Sequence, residues 1–360
     1  MVKSVYIHIP FCLSKCKYCS FISFENTQKR LGYLYSLLKE IDYYYKGELL
    51  DTLYFGGGTP SLYEIENLKK IINKFNISEN TEITIEINPD SVDENYLIGL
   101  KEIGFNRLSI GSQSFDDNLL RQIGRRHDSH QVFEAIKFAK KSGFKNISVD
   151  LIYGLPNQTI EMFKKDLETV KTLDIQHVSL YGLKIEEGCH FYKNFPENLP
   201  NDDIQADMYI LANELLQDEF THYEISNWGK VKSNHNLSYW KTNEYYGFGI
   251  SSHGYVDGVR YSNFSTLEQY LDNPTSREYG KFLTLKEQLQ ERIFLGFRIA
   301  EGINIREINQ DFDIDFENKY KNILGKYIDS GHLLCTKDGY RLSIEGFLLS
   351  NLILCEFIEE

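Results

Sequence analysis

Short apolar segments suited to strands recur along the first half of the chain, each followed by a stretch whose apolar positions have helical spacing. The strand segments are SVYIHI (4–9), TLYF (52–55), EITIEI (82–87), RLSI (107–110), NISVDLI (146–152) and HVSLYGL (177–183). Helical patterns lie between them at 62–75, 91–104, 129–143 and 158–173. Several begin near Asp, Ser or Thr and end near Gly, the residue types that cap helices. Strand–helix units in this order require right-handed crossovers and predict a parallel sheet. Six units are two fewer than a closed eight-fold barrel, so the expected class is α/β, a partial, open (β/α)6 barrel.

Beyond residue 184 the pattern changes. A helix is expected near 202–218, and then SNHNLSYWKTNEYYGFGISSHGY (233–255) is aromatic-rich with no clear period. A helix at 284–300, two further helices, LLCTKDGYRLS (333–343) and a final helix follow. Asp338-Gly339 reads as a hairpin turn, which makes this end a small, mostly helical, winged-helix-like domain. The expected organisation is a core barrel over 1–230, a connecting segment over 231–282 and a C-terminal helical domain over 283–360.

Composition narrows the function classes. Apolar residues are 42% and charged residues 25% of the chain, as in ordinary globular proteins. No apolar run approaches the roughly 20 residues of a membrane span. The opening MVKSVYIHIP lacks a secretory pattern, so a cytoplasmic location is expected, where thiols stay reduced. A net charge of −13 argues against a surface for nucleic acid, because nothing would neutralise phosphates.

Three of the six cysteines fall within YIHIPFCLSKCKYCSF (6–21), at C-x-x-x-C-x-x-C spacing directly after the first strand. Cys12, Cys16 and Cys19 on one short loop can point at a common centre. Zinc in a structural site takes four protein ligands, and the fourth here is His8 or something distant. Iron–sulfur clusters normally take four cysteines, so a loop with three leaves one iron open to an outside ligand. Zinc, a cluster and three incidental thiols all remain open on spacing alone. Cys189, Cys335 and Cys355 are scattered and read as plain core or surface residues.

The glycines of YFGGGTPS (54–61), at the end of the second strand, permit close backbone approach to a ligand. Other polar residues sit at or just beyond the carboxyl ends of strands, where chemistry belongs in such a sheet: Glu86, Gln113 and Asp150. With these residues in view, C-x-x-x-C-x-x-C followed by GGGTP resembles the radical S-adenosylmethionine (SAM) superfamily. YIHIPFC, RLSIGSQSF (107–115) and DLIYGLPNQT (150–159) narrow the resemblance to the group containing the oxygen-independent coproporphyrinogen III oxidases.

The resemblance implies a [4Fe–4S] cluster on Cys12, Cys16 and Cys19 whose open iron is chelated by SAM. In that family an electron from the cluster cleaves the sulfonium to methionine and a 5′-deoxyadenosyl radical. It further implies that Gly57, Gly58 and Thr59 hold the methionyl amino and carboxylate groups. Tyr6, Tyr18, Glu86, Gln113, Arg125 and Asp150 are implied as cofactor contacts, with Phe11, Tyr18 and Phe21 excluding solvent.

In the oxidases another cysteine follows the third by two residues, and here that position is Phe21. The chain is more similar to the HemW-type haem chaperones, which lack it and carry H-N-x-x-Y-W, present here as HNLSYW (235–240). His235, Tyr239 and Trp240 are therefore candidate haem contacts, with His235 as candidate iron ligand and His253 and His222 as lesser ones. Histidine commonly ligates haem iron, and aromatic rings pack on a porphyrin face. The resemblance implies a haem chaperone, and a homodimer, delivering haem to haem proteins such as respiratory enzymes. The alternative is coproporphyrinogen III oxidation.

Overall fold

The computed structural model describes residues 2–25 and 27–358. Six strands, β1 (Ser4–Ile9), β2 (Thr52–Gly57), β3 (Glu82–Ile87), β4 (Arg107–Gln113), β5 (Asn146–Tyr153) and β6 (His177–Gly182), are parallel neighbours in chain order. Between them run α1 (Arg30–Tyr44), α2 (Ile65–Ile72), α3 (Glu94–Glu102), α4 (Asp117–Gln122), α5 (Ser129–Lys141) and α6 (Ile160–Thr172). Asp93, Asp116, Asp128 and Thr159 cap α3, α4, α5 and α6 by accepting hydrogen bonds from first-turn N–H groups.

Period-two alternation divides the two faces of this sheet. Val5, Ile7 and Ile9, Leu53 and Phe55, Ile83, Ile85 and Ile87, Leu108 and Ile110, and Val149 and Leu151 are all buried in one apolar core beneath the helices. Each such side chain contributes about 1.5–3 kcal/mol when fully buried. The intervening residues, among them Tyr6, Tyr54, Glu86, Ser109, Asp150 and Tyr181, take the opposite, concave face. Packing on one face thus orients polar groups on the other.

The aperiodic stretch proved to be structured. After α7 (His190–Lys193), α8 (Asp202–Leu216), β7 (Thr221–Glu224) and β8 (Asn227–Gly229), it forms α9 (Asn234–Trp240), β9 (Tyr245–Phe248) and β10 (His253–Val256). Strand β9 pairs parallel to β1, adding a seventh parallel strand to the expected six. With β11 (Val259–Ser262) and β12 (Tyr279–Phe282) the order is β12-β11-β10-β9-β1-β2-β3-β4-β5-β6-β8-β7. A Cβ at Gly247 would lie 1.9 Å from the His253 carbonyl oxygen, so the β9–β10 pairing depends on a close backbone approach that no hydrophobic period reveals.

The C-terminal part carries a helix over Leu285–Gly296 and a small sheet of β13 (Ile303–Asn304), β14 (Leu333–Cys335) and β15 (Gly339–Leu342), in the order β13-β15-β14. The β14–β15 turn centres on Lys337 and Asp338, one residue before the expected pair: Thr336 N–H donates to Gly339 O at 2.8 Å. Gly339 lies against β13, where a Cβ would meet Ile303 O at 2.1 Å. Backbone bonds Ile225 N to Arg298 O (2.9 Å) and Ala300 N to Tyr223 O (3.0 Å) tie this part to the edge of the large sheet. Among the described residues no helix is long and apolar enough to cross a membrane.

Candidate functional site

The cysteine loop begins just past β1, at Phe11, which is buried in the core. Backbone bonds fix both ends of the loop: Cys12 N to Phe24 O (3.1 Å), Phe24 N to Pro10 O (2.6 Å) and Lys17 N to Ile123 O (2.9 Å). All three cysteines are free thiols and border one cavity of about 440 Å³ at the carboxyl ends of β1–β6. Burial pushes the Cys19 thiol up to about 11 and raises that of Cys12, so a metal binding there would displace protons. Thr59 Oγ1 lies 3.6 Å from Cys12 Sγ, and Arg125 Nη1 lies 3.5 Å from Cys16 Sγ.

The glycine turn stacks directly on this loop. Gly58 N donates to Ile9 O and Thr59 N to Phe11 O, each at 2.8 Å. A Cβ at Gly58 would meet Phe11 backbone nitrogen and oxygen at 2.8 Å. Gly57 has φ +115°, and a Cβ there would lie 2.7 Å from the His8 ring. Gly57 N–H donates to Glu86 Oε2 (3.2 Å) and Tyr54 O–H to Glu86 Oε1 (2.8 Å). Burial nevertheless lifts the Glu86 carboxyl to about 7.

Gln113 reaches the cavity because β4 bulges: its register to β5 shifts between Gly111 and Gln113, and Gln113 adopts φ 69°. Asp150 accepts from Ser109 Oγ at 2.9 and 3.0 Å on the neighbouring strand. Arg125 is no solvated surface charge. Its Nη2 donates to Gly111 O (2.5 Å) and to Asn88 Oδ1 (2.7 Å), and Asn88 in turn donates to Thr59 Oγ1 (3.0 Å). Asn88 also borders the cavity and was missed by sequence reasoning; its signal was its place in EINPD, just past β3.

Cys12, Cys16, Tyr18, Cys19, Gly57, Gly58, Thr59, Glu86, Gln113, Arg125 and Asp150 thus border a single cavity. Tyr6 stands behind it, stacked 6.1 Å from Tyr54, with its O–H 3.1 Å from His8 Nδ1. His8 cannot serve as a fourth zinc ligand in this arrangement, because its Nε2 is also engaged, at 2.9 Å from Ile22 O. Among the described residues no three His, Cys, Asp or Glu side chains close around one ion. Three free thiols along one wall of a cavity, beside a glycine cradle that any Cβ would fill, fit a larger cluster with one corner toward a small ligand. Phe21 corrects one expectation: at 67% exposed on the cavity rim, it excludes little water.

HNLSYW behaves differently from expectation. Asn234 N and His235 N both donate to the Glu82 carboxylate at 3.1 Å, which pins α9 against the start of β3. The His235 ring is buried, stacked on Tyr54 at 4.8 Å between centroids. Its Nδ1 lies 2.8 Å from Thr52 Oγ1 and its Nε2 2.7 Å from Tyr239 O–H. With both nitrogens engaged, His235 offers no lone pair to iron, and burial lowers its pKa to about 3.

Tyr239 and Trp240 instead border a second cavity of about 550 Å³, which shares Tyr181–Lys184 with the first. His222 is stacked on Trp228 at 4.3 Å and His253 is exposed on β10; neither borders either cavity.

Comparison with known proteins agrees with this geometry. Residues 6–170 match the radical SAM superfamily model and residues 283–349 the HemN C-terminal domain. The chain is 35% identical to the haem chaperone HemW of Bacillus subtilis over 378 residues, covering all of both chains. It is 34% identical to the haem chaperone HemW of Escherichia coli, covering 99% of this chain and 98% of that one. Among solved structures, E. coli coproporphyrinogen III oxidase (HemN) superposes with a TM-score of 0.87 at 22% identity, over 99% of this chain and 90% of that one, which establishes the shared fold. The chain belongs to the radical SAM superfamily and, within it, to the HemW haem-chaperone family.

Proposed function

We propose that the protein is a haem chaperone that carries a [4Fe–4S] cluster on Cys12, Cys16 and Cys19, binds SAM beside it and passes haem to haem proteins such as respiratory enzymes. The observation that carries the reading is the convergence of three thiols, the Gly57–Thr59 turn, Glu86, Gln113, Arg125 and Asp150 on one cavity, in a chain similar along its whole length to proteins named haem chaperones. A cluster held there supplies one-electron chemistry at an iron with an open position. The chain's own groups do the rest. Gly57, Gly58 and Thr59 bring backbone C=O groups up to the methionyl end of SAM, their N–H groups being held by Glu86, Ile9 and Phe11. Glu86 and Asp150 accept hydrogen bonds from its ammonium and ribose hydroxyls, and Arg125 supplies a positive charge beside Cys16. Tyr18 helps keep water from the thiols. A cytoplasmic location and a homodimer belong to this reading.

Oxidation of coproporphyrinogen III uses the same cofactor residues. Phe21, where the oxidases have a cysteine, and HNLSYW count against it. Anaerobic reconstitution followed by haem titration and a coproporphyrinogen turnover assay separates the two. Haem binding without turnover is expected; formation of protoporphyrinogen would reverse the assignment.

A further inference from the structure

The second cavity lies where the C-terminal part meets the edge of the large sheet, between the ends of β5–β8 and the segments holding Arg298 and Phe347. At about 550 Å³ it falls within the ~300–1,000 Å³ of small-molecule and cofactor sites. Its wall is aromatic, with Tyr181, Tyr239 and Trp240, and its cations are Lys184 and Arg298. Arg298 has little polar compensation: its Nη2 donates to Asn351 Oδ1 (3.1 Å), its guanidinium lies 4.5 Å from the Phe294 ring and 5.7 Å from the Trp240 ring, and its buried Nε has no hydrogen-bond partner among the described residues. The nearby Glu224 carboxyl, buried on the same wall, is lifted to about 8 by desolvation and so holds its proton near neutrality. Desolvation lowers the Arg298 pKa, as expected of a cation lacking a fixed carboxylate. Through the shared Tyr181–Lys184 segment the cavity adjoins the cysteine-lined one.

Resting on the haem reading above, we propose that this cleft is the tetrapyrrole site and that Arg298 and Lys184 take the carboxylates of the bound macrocycle. Aromatic walls suit a flat apolar ring, and a partly desolvated guanidinium forms strong charge-assisted bonds to carboxylate. Tyr239 and Trp240 then serve haem from a motif whose histidine is structural.

The test titrates ferric haem and its dimethyl ester into the reconstituted full chain, as wild type, Arg298→Gln and Lys184→Met. Wild type is expected to prefer haem over the ester by about tenfold or more, one charge-assisted contact being worth roughly that factor. Arg298→Gln should lose about tenfold for haem while its ester affinity changes little, so that the preference collapses. A fold defect would weaken both ligands alike. Lys184, which is exposed, gives the same readout without that risk. If wild type binds haem and both variants keep its full preference, the site is elsewhere and the chaperone reading stands. If wild type binds no haem, the reading falls and the site with it.

Discussion

Replacing Gly58 by alanine is a sharp probe of how the two halves of the cofactor site are fitted together. Gly58 does not have a positive φ, so the substitution carries no backbone strain of its own. The cost is steric: the new methyl would stand 2.8 Å from Phe11 N and O. Those atoms belong to the backbone that starts the cysteine loop, with Phe11 O accepting from Thr59 N, and they cannot rotate away as a side-chain tip would. Overpacking of this kind costs about 1–3 kcal/mol, and a backbone obstacle puts the expected loss near the top of that range. For a chain of 360 residues, with an unfolding entropy of about 2.1 cal/mol/K per residue, about 3 kcal/mol corresponds to a fall of roughly 4 °C in Tm. The displaced loop should also hold its cluster less firmly. The assay is thermal unfolding of the metal-free protein together with iron and sulfide content after anaerobic reconstitution. Gly32→Ala is the control. Gly32 lies in α1 with nothing within 4 Å of an added Cβ, so alanine should stabilise by about 0.5–1 kcal/mol. A Gly58→Ala protein with unchanged Tm and a full iron complement would refute the reasoning.

Other substitutions test separate parts of the account. His235→Gln should lower folding stability by about 1–3 kcal/mol, read as a lower Tm, through loss of the Tyr54 stack and of buried hydrogen bonds, yet leave the absorption maximum of bound haem where it was; a shift would restore the histidine as ligand. Gln113→Gly should gain up to about 1 kcal/mol by relieving the left-handed backbone while weakening SAM binding, as measured by equilibrium dialysis. Glu224→Gln bears on pH. The folded carboxyl is raised to about 8, so as pH rises the unfolded chain releases its proton first. Stability is then lost progressively from the ordinary carboxyl range up to about pH 8, and Tm of the variant should decline less across that window than Tm of wild type.

The first six strands could be read from the chain because each must bury one row of aliphatic side chains, and that demand writes itself as an alternation. Position along those strands also foretold that Glu86, Gln113 and Asp150 would meet. Strand β9 was invisible for the opposite reason: Tyr245–Phe248 is four residues long, contains Gly247, and is specified by pairing with the distant β1. Arg125 and Asn88 lie in connections between elements, so only the folded chain shows that they bond to each other. The surroundings of His235 were not legible either, because they are made by Thr52, Tyr54 and Glu82, more than 150 residues away.

The central claim is that Cys12, Cys16 and Cys19 hold a four-iron cluster whose remaining iron takes SAM. Iron and sulfide analysis with electron paramagnetic resonance of the dithionite-reduced, oxygen-free protein tests it most directly. The account requires about four irons per chain, a signal that changes when SAM is added, and loss of both in the combined Cys12→Ala, Cys16→Ala, Cys19→Ala variant. Zinc in place of iron, or iron retained by that variant, would contradict it.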